Sequence, residues 1–238
     1  MSKYTGPGGI SGSLPYLEDT TLVNHVLGQA IETTDGRRFR WALAGDTSLV
    51  VGNVLQTAVE DTGDQNITPT AAAIGDTSIV TSTTMTVTVN QYAGGYATVT
   101  VTPGLGQTFQ IAQHAAYTAA AATFTLEDPV QVALTTTSRL DFVPSPYSGV
   151  IVNPATATGA VVGVAVNNIT NGQYGWIQTW GPCNVLNDAG TITVGTSVAA
   201  SNGTAGAIEA ITGAQAIIGY ALTGIAANEN GLIYLKIS

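Results

Sequence analysis

Short runs in which apolar residues alternate with hydroxyl residues recur along the chain. Residues 85–89 (Met-Thr-Val-Thr-Val) and 97–101 (Ala-Thr-Val-Thr-Val) have the period of two that places one face of a strand in a core. Turns rich in Gly and Pro, such as residues 103–106, separate these runs. The pattern predicts an all-β fold built from small β-barrel or sandwich modules. Within it, the Ala-rich residues 115–122 have the composition for a turn or two of helix.

The last 90 residues contain an internal repeat. Residues 161–166 resemble residues 217–222, so that Gly163 corresponds to Gly219, 56 positions later. The same offset relates further apolar and glycine positions: Ile169 to Ile225, Gly175 to Gly231, and Ile177 to Ile233. Each copy reads as strand, turn, strand, and two copies fit a barrel or sandwich with internal pseudo-symmetry better than a solenoid.

A weaker similarity links residues 45–55 with residues 190–198, where valines surround a glycine in both. It suggests that the chain preceding the polar segment 60–66 belongs with the C-terminal repeat. We therefore expect three parts. They are an extended N-terminal arm (1–36), a barrel or sandwich with the internal repeat (37–66 plus 149–238), and an inserted β module (67–148).

The beginning of the chain is rich in Gly, Pro and Ser and shows no periodicity that would build a core. Such a segment becomes ordered only against a neighbour. We expect it to contact an adjacent subunit through its larger apolar side chains, Tyr4, Leu14 and Tyr16.

Only 9% of the residues are charged and the net charge is −9, so the surface must rely on hydroxyls and amides or be covered by partners. The acidic balance argues against direct binding of nucleic acid. One basic and aromatic stretch stands out: Arg38, Phe39, Arg40 and Trp41. A strand facing solvent or a partner is favoured there over a nucleic-acid patch, and we assign these residues to an interface with a partner protein or another subunit.

No group of residues has the spacing of a catalytic, cofactor-binding or metal site. Cys183, the single cysteine, is expected to be a small buried thiol. Trp176 and Trp180 are interpreted as core or interface anchors, although tryptophans can also stack on sugars. Neither a signal peptide nor an apolar run long enough to span a bilayer is recognised, which predicts assembly in a cytoplasm without membrane contact.

The glycine and aliphatic motifs carry a resemblance. In order, they are Val162-Gly163-Val164-Ala165, Gly175-Trp176-Ile177-Gln178-Thr179, Val194-Gly195-Thr196-Ser197-Val198, Ile218-Gly219-Tyr220-Ala221-Leu222 and Gly231-Leu232-Ile233-Tyr234-Leu235-Lys236-Ile237. This series resembles the C-terminal half of the phage capsid decoration (cement) proteins. The resemblance covers residues 150–238 well and residues 37–148 loosely.

The resemblance implies a non-enzymatic virion protein that binds the major capsid protein on the capsid exterior, as a homotrimer and without a cofactor. The alternative is a host-receptor-binding or tail-fibre (spike) module, which would require exposed aromatic residues suited to a carbohydrate.

Overall fold

The fold is almost entirely β, as a computed structural model of the chain shows: 47% of residues lie in strands and 1% in helix. The structure describes residues 4–5, 18–19 and 25–237. The expected all-β fold class is thereby confirmed, and each of its two main sheets curls into a half-barrel. Contacts divide the chain into a first unit, residues 1–59 with 146–238, and a second unit, residues 60–145. The second unit begins and ends a few residues before the predicted insertion of residues 67–148.

The first unit is a single sheet of twelve strands in which the central strand, β13, is the longest. Its main path runs β1-β3-β4-β13-β17-β16-β14-β15, and β12 joins β13 to β5 beside that path. The strands are β1 (Tyr4–Thr5), β2 (Glu18–Asp19), β3 (Ala30–Thr33), β4 (Arg38–Leu43), β5 (Val54–Gln56), β11 (Ile151–Val152), β12 (Val161–Ala165), β13 (Tyr174–Leu186), β14 (Ser197–Ala200), β15 (Ile208–Ala210), β16 (Gly219–Ala221) and β17 (Asn230–Lys236).

The first unit contains the same strand arrangement twice. The first repeat comprises residues 39–57 and 161–178, and the second comprises residues 182–200 and 217–234. Residues 161–178 correspond to residues 217–234, which lie 56 positions later. Residues 39–57 correspond to residues 182–200, which lie 143 positions later. Equivalent pairings have equivalent registers: Val164↔Val54 and Tyr220↔Ser197, Ala165↔Ile177 and Ala221↔Ile233, Gln178↔Phe39 and Tyr234↔Pro182.

The two repeats also have equivalent cores, because the same positions of each strand face inward. One cluster contains Leu49, Leu55, Ile169 and Ile177, all buried. The other contains, at the corresponding positions, Ile192, Val198, Ile225 and Ile233. The duplication is therefore a property of packing as well as of backbone pairing.

The second unit is a five-stranded antiparallel sheet in the order β10-β7-β8-β9-β6 around its own apolar core. Its strands are β6 (Ser78–Val87), β7 (Tyr96–Val101), β8 (Thr108–His114), β9 (Tyr117–Leu126) and β10 (Arg139–Val143), preceded by a 3-10 turn at Thr62–Asp64. Most of the Ala-rich run lies in β9, so the turn or two of helix that its composition allowed does not form there. Pairing of Tyr117, Ala120 and Ala121 with β6 overrides the weak helical preference of so short a run.

Part of the predicted arm belongs to the sheet of the first unit. Residues 30–33 form β3, which pairs with β4, and the short β1 and β2 pair with β3 and β13 of the same chain. These pairings place backbone of the arm against its own unit, whereas the sequence suggested a neighbouring subunit.

Candidate interaction surface

Strand β4 presents its aromatic residues to the core and its arginines to the other face. Phe39 and Trp41 have exposed fractions of 0% and 2%. The prediction that these two side chains form an interface is therefore corrected, since they are not accessible to a partner. Arg38 is exposed and Arg40 partly exposed. Successive side chains of a strand point to opposite faces of the sheet. In β4 the apolar side chains face the core, so the arginines face away from it.

Trp41 is held in a buried aromatic cluster with Trp176 of β13. Their ring centroids lie 5.0 Å apart in an edge-to-face arrangement, and His25 lies 4.7 Å from Trp41 and 5.1 Å from Trp176. The two tryptophans are directly opposite each other in the β4–β13 ladder. Trp176 is thus a core anchor, as the sequence suggested.

A row of three aromatic rings with a cation at each end crosses the exposed face of the same sheet. It begins at Arg38, whose guanidinium carbon lies 5.6 Å from the centre of the Trp180 ring. Arg38 also donates from Nε to Glu32 Oε2 at 3.0 Å. Both members of this ion pair are about half exposed, at 49% and 45%, so water screens their attraction.

The row continues from Trp180 to strands β17 and β16. Trp180 packs edge-to-face on Tyr234 at 5.8 Å, and Tyr234 stacks on Tyr220 at 5.4 Å with the ring planes only 5° apart. At its far end the Lys236 ammonium lies 4.9 Å from the centre of the Tyr220 ring. We call these five residues, Arg38, Trp180, Tyr234, Tyr220 and Lys236, the aromatic–cationic row.

Two local features of the sequence place the row on the surface. Strand β17 alternates, with Ile233 and Leu235 buried and with Tyr234 and Lys236 on the other face. In β13 a register shift occurs between Gln178 and Trp180. An uninterrupted strand would put Trp180 on the same face as the buried Trp176, and the irregularity separates them.

Arg40 extends the positive charge beyond the row. Its Nη1 donates to the Gly28 carbonyl at 2.9 Å, and its guanidinium carbon lies 5.8 Å from the Tyr147 ring centre. Of the six basic residues in this acidic chain, Arg38, Arg40 and Lys236 are therefore on this sheet together. A surface of this kind favours a partner that carries carboxylates.

The remaining predicted interface residues are less defined. Tyr4 contributes backbone pairing with Thr33 in the β1–β3 ladder, and Leu14 and Tyr16 lie outside the described residues. Tyr220, Tyr234 and Lys236 were not among the predicted site residues. The period of two in β17 was the available signal for the last two.

Outside the row, the most reactive side-chain type in the chain is the thiol of Cys183. Cys183 is buried, and burial raises the pKa of its thiol to about 12, which keeps it protonated and unreactive at neutral pH. Within residues 25–237 and the two short strands before them, no three His, Cys, Asp or Glu residues cluster as metal ligands would. No helix in that same part of the chain is long and apolar enough to cross a membrane.

Comparison with known proteins adds no relative. No protein-family model, no curated protein and no solved structure matches the chain.

Proposed function

We propose that this chain is a non-enzymatic phage virion protein that binds the capsid surface as a decoration (cement) protein. The observation that carries the proposal is the aromatic–cationic row on a sheet whose strands are fixed by a duplicated core. The motifs that resemble decoration proteins, between residues 162 and 237, are the strands of that same unit.

The row suits a protein partner with carboxylates at its surface. Arg38 and Lys236 provide charge at the two ends, and Trp180, Tyr234 and Tyr220 provide rigid apolar area between them. Aromatic residues and arginine are enriched at the centres of protein interfaces. A partner bound here would be the major capsid protein, and the site of action would be the exterior of a virion assembled in the host cytoplasm.

A second candidate function, host-receptor binding as part of a tail fibre or spike, is favoured by the partly exposed aromatic rings. Sugars stack on open ring faces. Here Arg38 covers a face of Trp180, Lys236 covers a face of Tyr220, and Tyr220 and Tyr234 stack on each other. Because ring faces are occupied within the row, we favour the protein partner.

A homotrimer is part of the proposal. A specific interface usually buries more than about 1,000 Å² in total, and binding as a trimer would multiply the area that one particle site holds. The scarcity of charge elsewhere on the chain leaves the row as its main electrostatic contact. With Phe39 and Trp41 buried, the arginines contribute more of that contact than the apolar residues of β4, so binding should weaken as salt rises.

The experiment begins with purified particles that contain the protein. Quantitative mass spectrometry should count hundreds of copies in each particle, and light scattering of the isolated protein should give three chains. Stripped particles are then incubated with purified protein and sedimented at low and high salt. Arg38→Glu should weaken this binding at least about tenfold, whereas Arg38→Lys, which keeps the charge, should retain most of it.

The matched control is Arg139→Glu, which reverses the charge of an arginine in the second unit. It should bind particles as the unchanged protein does. A count of a few copies per particle, or binding of Arg38→Glu as tight as that of the unchanged protein, would overturn the proposal. Copies confined to the tail, with glycan binding lost in Trp180→Ala, would establish the receptor-binding alternative instead.

A further inference from the structure

A groove opens in the first unit between the end of β14, the segment that precedes β16, and residues 153–161. Its cavity volume is about 550 Å³, which is within the usual range of ligand pockets. Small side chains dominate its walls: Ala155, Ala157, Ala160, Ala199, Ala200 and Ala216. Lys236 is the single charged residue in the lining formed by the described part of the chain.

In the first repeat the equivalent place is closed by a β-ladder. Strand β12 pairs with β5 as far as Val161↔Gln56. The pairing then continues beyond both strands, because Thr57 N donates to the Ala160 carbonyl at 2.9 Å and Ala160 N donates to Thr57 Oγ1 at 3.2 Å. The Gln56 side chain adds two hydrogen bonds to Thr158, at 2.8 and 3.2 Å.

In the second repeat the same ladder stops early. The last pair between β14 and β16 is Val198↔Gly219, followed by one hydrogen bond from Ile218 N to the Val198 carbonyl at 2.9 Å. The residues beyond, Ala216 and Ile217, form no backbone hydrogen bond with any described residue. The two chain segments separate there, and the groove lies between them.

The sequence explains why one ladder closes and the other opens. Gln56, Thr57 and Thr158 supply side-chain oxygen and nitrogen atoms to the closed ladder. At the equivalent positions the second repeat has alanines, which are Ala199, Ala200 and Ala214. Alanine cannot form these bonds, so the strands are not held together.

The open ladder leaves strand-like backbone groups facing the groove. In an antiparallel strand alternate residues direct their N–H and C=O to the same side. Ala200 therefore directs these groups as Val198 does, towards Ala216 and Ile217. Ile217 is also 61% exposed, so its side chain leaves apolar surface at the groove open to a ligand.

A buried side chain in the wall points to a missing hydrogen-bond donor. Asn153 lines the groove and is 1% exposed. Its Nδ2 donates to the Pro154 carbonyl at 3.0 Å, but its Oδ1 has no partner among the described residues. Leaving such an oxygen unpaired in the interior is unfavourable, so a ligand N–H that reached it would bind favourably.

We propose that this groove binds an extended peptide segment of a partner protein by addition of a β-strand. The segment pairs with the backbone of Ala200, Ala216 and Ile217, donates one N–H to Asn153 Oδ1, and places small apolar side chains against the alanine walls. A carboxylate of the segment lies towards Lys236, the one charge of the lining. Pairing of this kind gives affinity through the main chain and specificity through alternate side chains. The inference shares only Lys236 with the aromatic–cationic row, and neither Arg38 nor Trp180, on which the test of the proposed function relies, takes part in it.

The probe is a synthetic peptide, acetyl-Ala-Val-Ala-Val-Asp-amide, titrated into the full-length protein. Amide chemical shifts measured by NMR should move at Ala200, Ala216 and Ile217, with a dissociation constant below about 1 mM. The same peptide N-methylated at alternate residues keeps its side chains but cannot form the ladder, and it should bind at least about tenfold more weakly. Replacing Asp by Lys in the probe should also weaken binding.

Two variants locate the site on the protein. Ala216→Trp fills the groove and should abolish binding, whereas Ala214→Trp, at an exposed position that does not line it, should bind normally. Asn153→Ala should weaken binding while the spectrum elsewhere stays that of the folded protein. No shifts up to millimolar peptide, equal binding of the N-methylated probe, or unchanged binding by Ala216→Trp would each overturn the inference. Because these variants leave Arg38 and Trp180 intact, particle binding can persist when the inference fails.

Discussion

Gly231 lies so close to Ile225 that a Cβ atom on the glycine would fall 2.4 Å from Ile225 Cγ1. Gly175 has the same relationship with Ile169 in the first repeat, at 2.5 Å from Cδ1. Both isoleucines are buried, at 2% and 0% exposure. The two glycines are thus required for the same close approach of strand and turn.

Replacement of either glycine by alanine should destabilise the first unit. A methyl group cannot fit beside a buried isoleucine without shifting it, so we expect Gly231→Ala and Gly175→Ala each to lower the free energy of unfolding by about 1–3 kcal/mol. Urea denaturation followed by tryptophan fluorescence measures this. Gly224→Ala is the control, because the nearest atom to its Cβ is 3.9 Å away, and it should change stability by less than about 0.5 kcal/mol. Equal effects at all three positions would contradict the packing argument.

Asp64 should make the second unit more stable at acidic pH. Burial raises the pKa of its carboxyl group, which outweighs the hydrogen bond that Tyr92 Oη donates to it. The folded state then binds this proton more tightly than the unfolded state. Its contribution to stability is fully present below the unfolded pKa and is lost as pH rises through the folded pKa.

Asp64→Asn tests this dependence, since the amide oxygen can still accept from Tyr92. The variant should be at least as stable as the unchanged protein at pH 7, and the difference should shrink as pH falls towards 4. Thermal unfolding of both proteins across this range is the measurement. Asp128→Asn, at an exposed carboxylate of the same unit, is the control for the change in net charge. A stabilising effect of Asp64→Asn that grew on acidification would show that the sign is wrong.

Cys183 should react with thiol reagents only when the first unit unfolds. The buried thiol has its pKa raised to about 12, so almost no thiolate exists at pH 8. Labelling with a chromogenic disulfide should therefore be slow in buffer and rapid in denaturant. Thr47→Cys, which adds an exposed thiol, should label at once under native conditions. Rapid native labelling of Cys183 itself would contradict its burial.

Arg38 and Trp41, three residues apart on β4, should lose very different amounts of stability on truncation. Arg38→Ala removes a half-exposed ion pair and a surface ring contact, and should reduce stability by less than about 1 kcal/mol. Trp41→Ala empties a buried site and should cost about 3–5 kcal/mol. Chemical denaturation of the two variants compares them. A large loss of stability in Arg38→Ala would mean that its effect on particle binding reflects folding.

The all-β class and the later part of the repeat were predictable because their signals are local. The alternation of residues 97–101 needs only five positions. The offset of 56 relates residues 161–178 to residues 217–234 without a gap. The earlier part of the repeat, with its offset of 143, gave only the weak similarity between residues 45–55 and residues 190–198. The second unit separates Gln56 from Val161, so the two parts of the first repeat are not contiguous in the sequence.

The aromatic–cationic row could not be predicted as a unit. Alternation in β4 places Phe39 and Trp41 on one face, but which face is covered depends on Trp176, far along the chain. Trp180 reaches the surface through an irregularity in β13. Gly181 and Pro182, which follow it, are residue types that mark such irregularities, but they do not fix which side chains change face. Arg38 and Tyr220 are brought to one row only by the order of the strands in the sheet.

The duplicated ladder, closed in the first repeat and open in the second, has a consequence at the level of the gene. The second unit follows Val59, immediately after the closed ladder, and at the equivalent place in the second repeat the chain continues through residues 201–216, which include the short β15. A tandem duplication, with later acquisition of coding sequence in one copy, is the simplest history for this arrangement. The glycines at 52 and 195, 163 and 219, and 175 and 231 were kept in both copies, while the outward positions diverged. A half-length ancestor would have closed its core by pairing with itself.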